Sequence, residues 1–234
     1  MQKVSKEALF DIKFLSEVRL SPDGRHAAFV ATSGCAQDNK YRNYIWIYNL
    51  ETEHLFKLTA SGEDRNIKWL DNEFLIFPAS RDEKEKEKLK KGLPVTFYYS
   101  ISIKGGEAER KFEVPAKVLS IEPTYGSKCV VLADFDNNVQ DVSEMDDAQK
   151  EKYFKELSEA NSAYKIFDEI PFWQDGAGVT NKKRRRLYVF DSEDGSLKPI
   201  SAPLMNITSW SPEGSKLVFW VLLLRTVLGR EIWH

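Results

Sequence analysis

Few residues in this 234-residue chain have the types and spacing that chemistry requires. Asp168 and Glu169 are adjacent carboxylates, candidates to bind a cationic group. Lys182-Lys183-Arg184-Arg185-Arg186 is the one strong basic run. Such a run could meet nucleic acid or an acidic partner. It is short and no stacking aromatics interleave with it, so it reads instead as a polar hairpin entering the apolar stretch Leu187–Phe190. The three histidines are His26, His54 and His234. A serine nucleophile needs a histidine held by a carboxylate, and none of the three has that context. Gly176-Ala177-Gly178 lacks the lysine and the strand-to-helix setting of a phosphate loop. The two cysteines, Cys35 and Cys129, have no metal-type spacing. No catalytic residue, metal or cofactor is expected, and the asparagine of Asn206-Ile207-Thr208 is a glycosylation acceptor only in a secreted protein.

Composition narrows the class. Hydrophobic residues make up 42% and aromatics 12%, which is globular. The net charge is −2, which gives no pull toward nucleic acid or an anionic membrane. The start of the chain has no apolar core of a secretory signal. The most apolar run, Leu217 to Leu228, is too short for the ~20 residues that span a bilayer. Two isolated cysteines fit free thiols, and a cytoplasmic location is expected.

The elements that must position these residues are short strands. Leu20-Ser21-Pro22-Asp23-Gly24-Arg25 is a turn: Pro22 presets φ, Asp23 bonds its own backbone and Gly24 tolerates positive φ. It feeds the strand His26–Thr32. Trp210-Ser211-Pro212-Glu213-Gly214 repeats the motif near the other end. Four strands fit before residue 60, and the pattern restarts about 50 residues on at Ile67-Lys68-Trp69, which is a propeller-blade period. The expected fold is an all-β, partial β-propeller of about three blades and the start of a fourth. The blade-like units cover about 16–60, 65–115, 117–201 and 206–220, within one domain at 1–220. An amphipathic helix is expected from Ser5 to Phe14, and an inserted helix at about 146–160. Arg81 to Lys91, with interleaved charges, reads as a solvated loop or short exposed helix. Ile170, Phe172 and Trp173 read as packing between blades.

Several motifs in order carry a resemblance. They are Ser21-Pro22-Asp23-Gly24-Arg25 before an apolar strand, Gly105-Gly106-Glu107-Ala108 after Tyr98-Tyr99-Ser100-Ile101, Asp168-Glu169-Ile170-Pro171-Phe172-Trp173, Asp175-Gly176-Ala177-Gly178-Val179, and Arg186-Leu187-Tyr188-Val189-Phe190-Asp191. Together they resemble the N-terminal propeller of the prolyl oligopeptidase family, in its acylaminoacyl-peptidase and dipeptidyl-peptidase-like branch. The resemblance implies a propeller that restricts a serine peptidase to short peptides. In such enzymes catalysis lies in an α/β-hydrolase domain with a Gly-x-Ser-x-Gly elbow. This sequence has no such elbow. Some relatives use propeller glutamates to hold a peptide's amino terminus, the role for which Asp168 and Glu169 are candidates.

The chain departs from that family at its end. Residues 221–234 show no turn signals and read as a divergent tail, truncated or frame-shifted before the catalytic domain, or alternatively as a long apolar strand or a dimer contact. The expected function is a substrate-gating propeller domain without activity of its own; the alternative is a free-standing protein- or peptide-binding scaffold. The expected partners are a peptide substrate in an intact relative, and a second copy through open propeller edges, with neither nucleic acid nor membrane.

Overall fold

The computed structural model describes residues 8–140, 142, 145–163, 167, 169–170, 173–175, 178–203, 205–213 and 216–223. Helix α1 is only Ala8–Asp11, and strand β1 begins at once as Lys13–Leu20. The expected helix from Ser5 to Phe14 is therefore shorter, with Ser5 outside the described residues. β1 pairs antiparallel with β2 (His26–Cys35), setting Phe14 opposite Thr32. Cross-strand pairing fixes these residues more strongly than their weak helical period.

β1, β2, β3 (Lys40–Asn49) and β4 (Leu55–Lys57) form a four-stranded meander in chain order. Ala28 lies opposite Ile47 and Val30 opposite Ile45, and all four are buried, so alternate residues build one packed face. The β1–β2 turn forms as its residue types require. Ser21 N–H donates to the His26 carbonyl (2.8 Å), and Gly24 N–H to the Ser21 carbonyl (2.9 Å). Gly24 takes φ +72°, a conformation costly for any residue with a Cβ.

The second meander is β5 (Lys68–Trp69), β6 (Phe74–Pro78), β7 (Thr96–Ser102) and β8 (Glu109–Val114). Leu75, Ile76 and Phe77 are all buried, as are Phe97, Tyr98 and Tyr99, so both faces of its central strands are covered. The third meander is discontinuous in sequence. Strands β9 (Val118–Pro123) and β10 (Lys128–Asp136) come first, and β13 (Lys183–Asp191) and β14 (Leu197–Pro199) complete the order β14-β13-β10-β9. Helix α3 (Asp147–Ala163) and the small hairpin of β11 (Trp173–Gln174) with β12 (Gly178–Val179) fill the interruption. Last comes the hairpin of β15 (Met205–Glu213) and β16 (Lys216–Leu223), whose Ile207 packs with Leu132 and Leu187.

Arg81 to Lys91 contains a short helix, one of the two forms its charge pattern allows: α2 (Glu83–Lys90), closed by an Asp82/Glu85 capping box. Two differences from the sequence reading have physical causes. The second Ser-Pro-x-Gly motif is not a copy of the first turn. β15 continues through Ser211, Pro212 and Glu213, the last paired with Lys216, whereas in the first motif pairing stops at Leu20 and Ala27. Ile170 and Trp173 are 71% and 57% exposed, so they do not pack between sheets; Phe172 lies outside the described residues. Ala163 ends α3. Of the tail, Val221 to Leu223 continue β16, and the rest lies outside the description.

The chain divides into two compact units, Met1–Arg81 with Thr96–Glu113, and Asp82–Val95 with Val114–His234. Within each, a tryptophan joins neighbouring sheets. In the first unit Trp69 Nε1–H donates to the Arg19 carbonyl (3.0 Å). In the second, Trp210 Nε1–H donates to Ser120 Oγ (3.0 Å). The first unit adds a bulge between Ser16 and Arg19, where Glu17 takes φ +56°. Its carboxylate accepts from Ile67 N–H (3.0 Å). No helix among the described residues is long and apolar enough to cross a membrane.

Candidate functional site

The basic run sits on β13, and strand alternation divides it. Lys183 and Arg185 point outward and are exposed, while Arg184 and Arg186 point inward and are buried. A run of five cations therefore does not make one continuous patch. Arg184 forms a two-pronged pair with Glu169: Nη1 donates to Oε1 (2.9 Å) and Nη2 to Oε2 (2.6 Å). Their side chains are 4% and 2% exposed. A planar guanidinium matches a carboxylate in this geometry, and each charge here has the partner that burial demands. Glu169 thus ties the segment before β11 to β13. Its neighbour, Asp168, lies outside the described residues.

Arg186 is buried differently. Nη2 donates to the Ser201 carbonyl (2.7 Å), and the guanidinium sits 4.5 Å from the centre of the Phe135 ring. Burial pushes the nearby Tyr188 hydroxyl up, with the positive charge of Arg186 partly offsetting it. Ser201 Oγ also accepts from Leu187 N–H (3.0 Å). The inward side of β13 is thereby a structural seam.

An outward pocket lies at the end of β10 and β13. Asp136 is directly opposite Lys183 in the antiparallel register. The cavity there measures about 450 Å³ and is bounded by α3 through Leu157, Ala160 and Asn161, with Val179 from β12. Its floor is rigid. Asp136 Oδ1 accepts from Asn138 N–H (2.9 Å) and Nδ2 (2.8 Å), and Asn138 Nδ2 also reaches the Asn181 carbonyl (3.1 Å). Gln140 N–H donates to the Tyr153 hydroxyl (2.8 Å), joining this turn to α3. Asp146 and Gln149 cap α3 reciprocally, at 2.8 and 3.0 Å. None of these pocket residues has a sequence motif. They come from four segments, and only the β10–β13 register and the inserted helix bring them together.

The remaining chemical candidates resolve separately. His26 Nε2 lies 3.1 Å from Asn49 Nδ2, within the first sheet, and His54 is exposed and stacked with Phe56. His234 lies outside the described residues. Of the glycine loop, only Gly178 is described, at φ +72°. Asn206 Oδ1 accepts from Arg185 N–H (2.9 Å), a structural link from β15 to β13. Both cysteines are free. Cys129 is buried, and its thiol is pushed up to about 12, chiefly by desolvation. The Cys35 thiol is lowered, first by the backbone N–H of Asp38 and also by the Arg42 side chain. Among the described residues no cluster of three metal-type ligands occurs.

The architecture is all-β and propeller-like, a series of four-stranded antiparallel meanders. Solved structures of peptidases share it. Acylaminoacyl peptidase of Pyrococcus horikoshii aligns over 96% of this chain and 30% of its own, at 18% identity and a TM-score of 0.63. Acylaminoacyl peptidase in complex with Z-Gly-Gly-Phe-chloromethyl ketone aligns over 92% of this chain and 29% of its own, at 19% identity and a TM-score of 0.59. The AtxE2 isopeptidase aligns over 92% and 40%, at 13% identity and a TM-score of 0.51. This chain therefore spans about a third of the length of the peptidases it resembles, and at these identities the likeness establishes the fold. No family model matches the chain, and no curated protein matches its sequence.

Proposed function

We propose that this chain is the propeller part of a serine peptidase of the prolyl oligopeptidase type, acting as a gate that admits short peptides. One observation carries the reading: 96% of the chain aligns with part of an acylaminoacyl peptidase, through the same run of meanders. The ordered motifs from Ser21 to Asp191 point to the same family independently of the fold. The chain itself holds no Gly-x-Ser-x-Gly elbow. In this reading the nucleophile and its histidine lie on other residues, and the propeller contributes steric selection. Steric selection needs stiff walls, and the buried Glu169–Arg184 pair and the tryptophan links between sheets supply stiffness.

The test is direct. The 234-residue chain should stay unlabelled by a fluorophosphonate serine-hydrolase probe, and the transcript that encodes it should also encode a Gly-x-Ser-x-Gly hydrolase domain. A transcript with no such domain, or stoichiometric labelling of the isolated chain, would overturn the proposal. The alternative, a free-standing scaffold, gains support from the exposed β1 strand, where Leu15, Val18 and Leu20 are 64%, 63% and 60% exposed. It requires a stable, stoichiometric assembly of the purified chain.

A further inference from the structure

We infer that the pocket beside α3 binds a free apolar α-amino acid, gripped by both of its charges. This goes beyond the peptidase reading and does not depend on it. Asp136 and Lys183 face each other across β10 and β13, yet they do not close into an ion pair. Oppositely charged cross-strand neighbours on one face usually attract. Here each keeps its charge open over one cavity. Asp136 Oδ1 is already held by Asn138, which fixes the carboxylate, and Oδ2 has no partner among the described residues. Among the described residues the Lys183 ammonium has no partner either. Asn161, on α3, lines the same space, and its side-chain amide bonds no other described residue.

This set of groups selects its ligand by exclusion. A lone anion meets the Asp136 carboxylate, and a lone cation meets Lys183. A metal ion finds one carboxylate, too few for an oxygen-ligand cage. A neutral molecule with a neighbouring ammonium and carboxylate satisfies both. Its ammonium donates to Asp136 Oδ2 and the Asn161 carbonyl oxygen, and its carboxylate accepts from Lys183. Cross-strand side chains start about 5 Å apart, so the grip suits two charges carried on one carbon. The termini of a tripeptide are too far apart to meet it. Leu157, Phe167 and Val179 line the same cavity and fit an aliphatic or aromatic side chain. The volume of about 450 Å³ lies in the range of small-molecule sites and accommodates a leucine or phenylalanine with room for water.

The experiment titrates the ¹⁵N-labelled 234-residue chain with L-leucine, following the amide signals of Asn138, Val139 and Val179 by NMR. Saturable shifts confined to this region are expected. Leucinamide, which lacks the carboxylate, and N-acetyl-leucine, which lacks the ammonium, should each bind about tenfold more weakly or worse, and Leu-Gly-Gly likewise. Asp136→Asn keeps the oxygen that Asn138 uses, and Lys183→Gln keeps the strand. Each should weaken leucine about tenfold while leaving the unliganded spectrum otherwise intact. If either blocked leucine or the tripeptide binds as well as leucine, the proposal fails. It also fails if leucine produces no saturable shift, or if both variants bind normally. The blocked ligands are tested on the unaltered chain, so the result does not hang on how the variants fold.

Discussion

Removing Arg184 would leave the Glu169 carboxylate buried without its counter-charge. Arg184→Met should cost about 3–5 kcal/mol of unfolding free energy in urea, whereas the double change with Glu169→Leu should recover much of it. A double-variant loss equal to the sum of the two single losses would mean that the pair is not coupled. The thiols should separate by reactivity. Cys35, lowered by Asp38 N–H and Arg42, should alkylate with iodoacetamide in the native protein, while Cys129, buried and pushed up to about 12, should react only after unfolding. Asp23 gives a pH signature. Its carboxyl is held below 3.8, first by the Ser21 hydroxyl and then by Arg25 N–H. A depressed folded value stabilises the turn above 3.8 and is lost as pH falls through that lower value. In an NMR titration the Asp23 carboxyl should therefore change below 3.8, with the Ser21 and Arg25 amides shifting alongside it.

Elements here are set by turn chemistry and by register together. Gly24→Ala meets no atom within 4 Å of the new Cβ, so its whole cost is the positive φ, about 1–2 kcal/mol by thermal or urea unfolding. A larger loss would mean that the turn is strained in some other way. Trp210→Phe should lose the bond to Ser120 and about 1 kcal/mol, with Ser120→Ala adding little in a double-mutant cycle. The first Ser-Pro-Asp-Gly turn was legible because the bonds that shape it, among Ser21, Asp23, Gly24, Arg25 and His26, are local. Its echo at Ser211 was legible as a motif and not as a geometry, because the pairing of Glu213 with Lys216 belongs to a different register. Helices α2 and α3 were legible through charge and period. The burial of Arg184 and Arg186 was not, since a basic run tells nothing of which alternate residues a strand will turn inward.

Among the described residues, β1 carries unpaired strand edge and apolar side chains together. Such edges template association. The chain should therefore self-associate with rising concentration in size-exclusion chromatography with light scattering, and Leu15→Lys, 64% exposed in the native fold, should suppress it without loss of stability. Unchanged association in that variant would move the contact elsewhere. The sequence by itself determined the all-β class, the meander period and the inserted helix, because these follow from local alternation, turn residues and hydrophobic spacing. It also pointed to the peptidase family, through motifs that are each local. Only the tertiary structure decided the Glu169–Arg184 pair, the tryptophan links between sheets and the pocket of Asp136, Lys183 and Asn161. Those depend on which distant strands share a register, and register is set by packing that no single segment encodes.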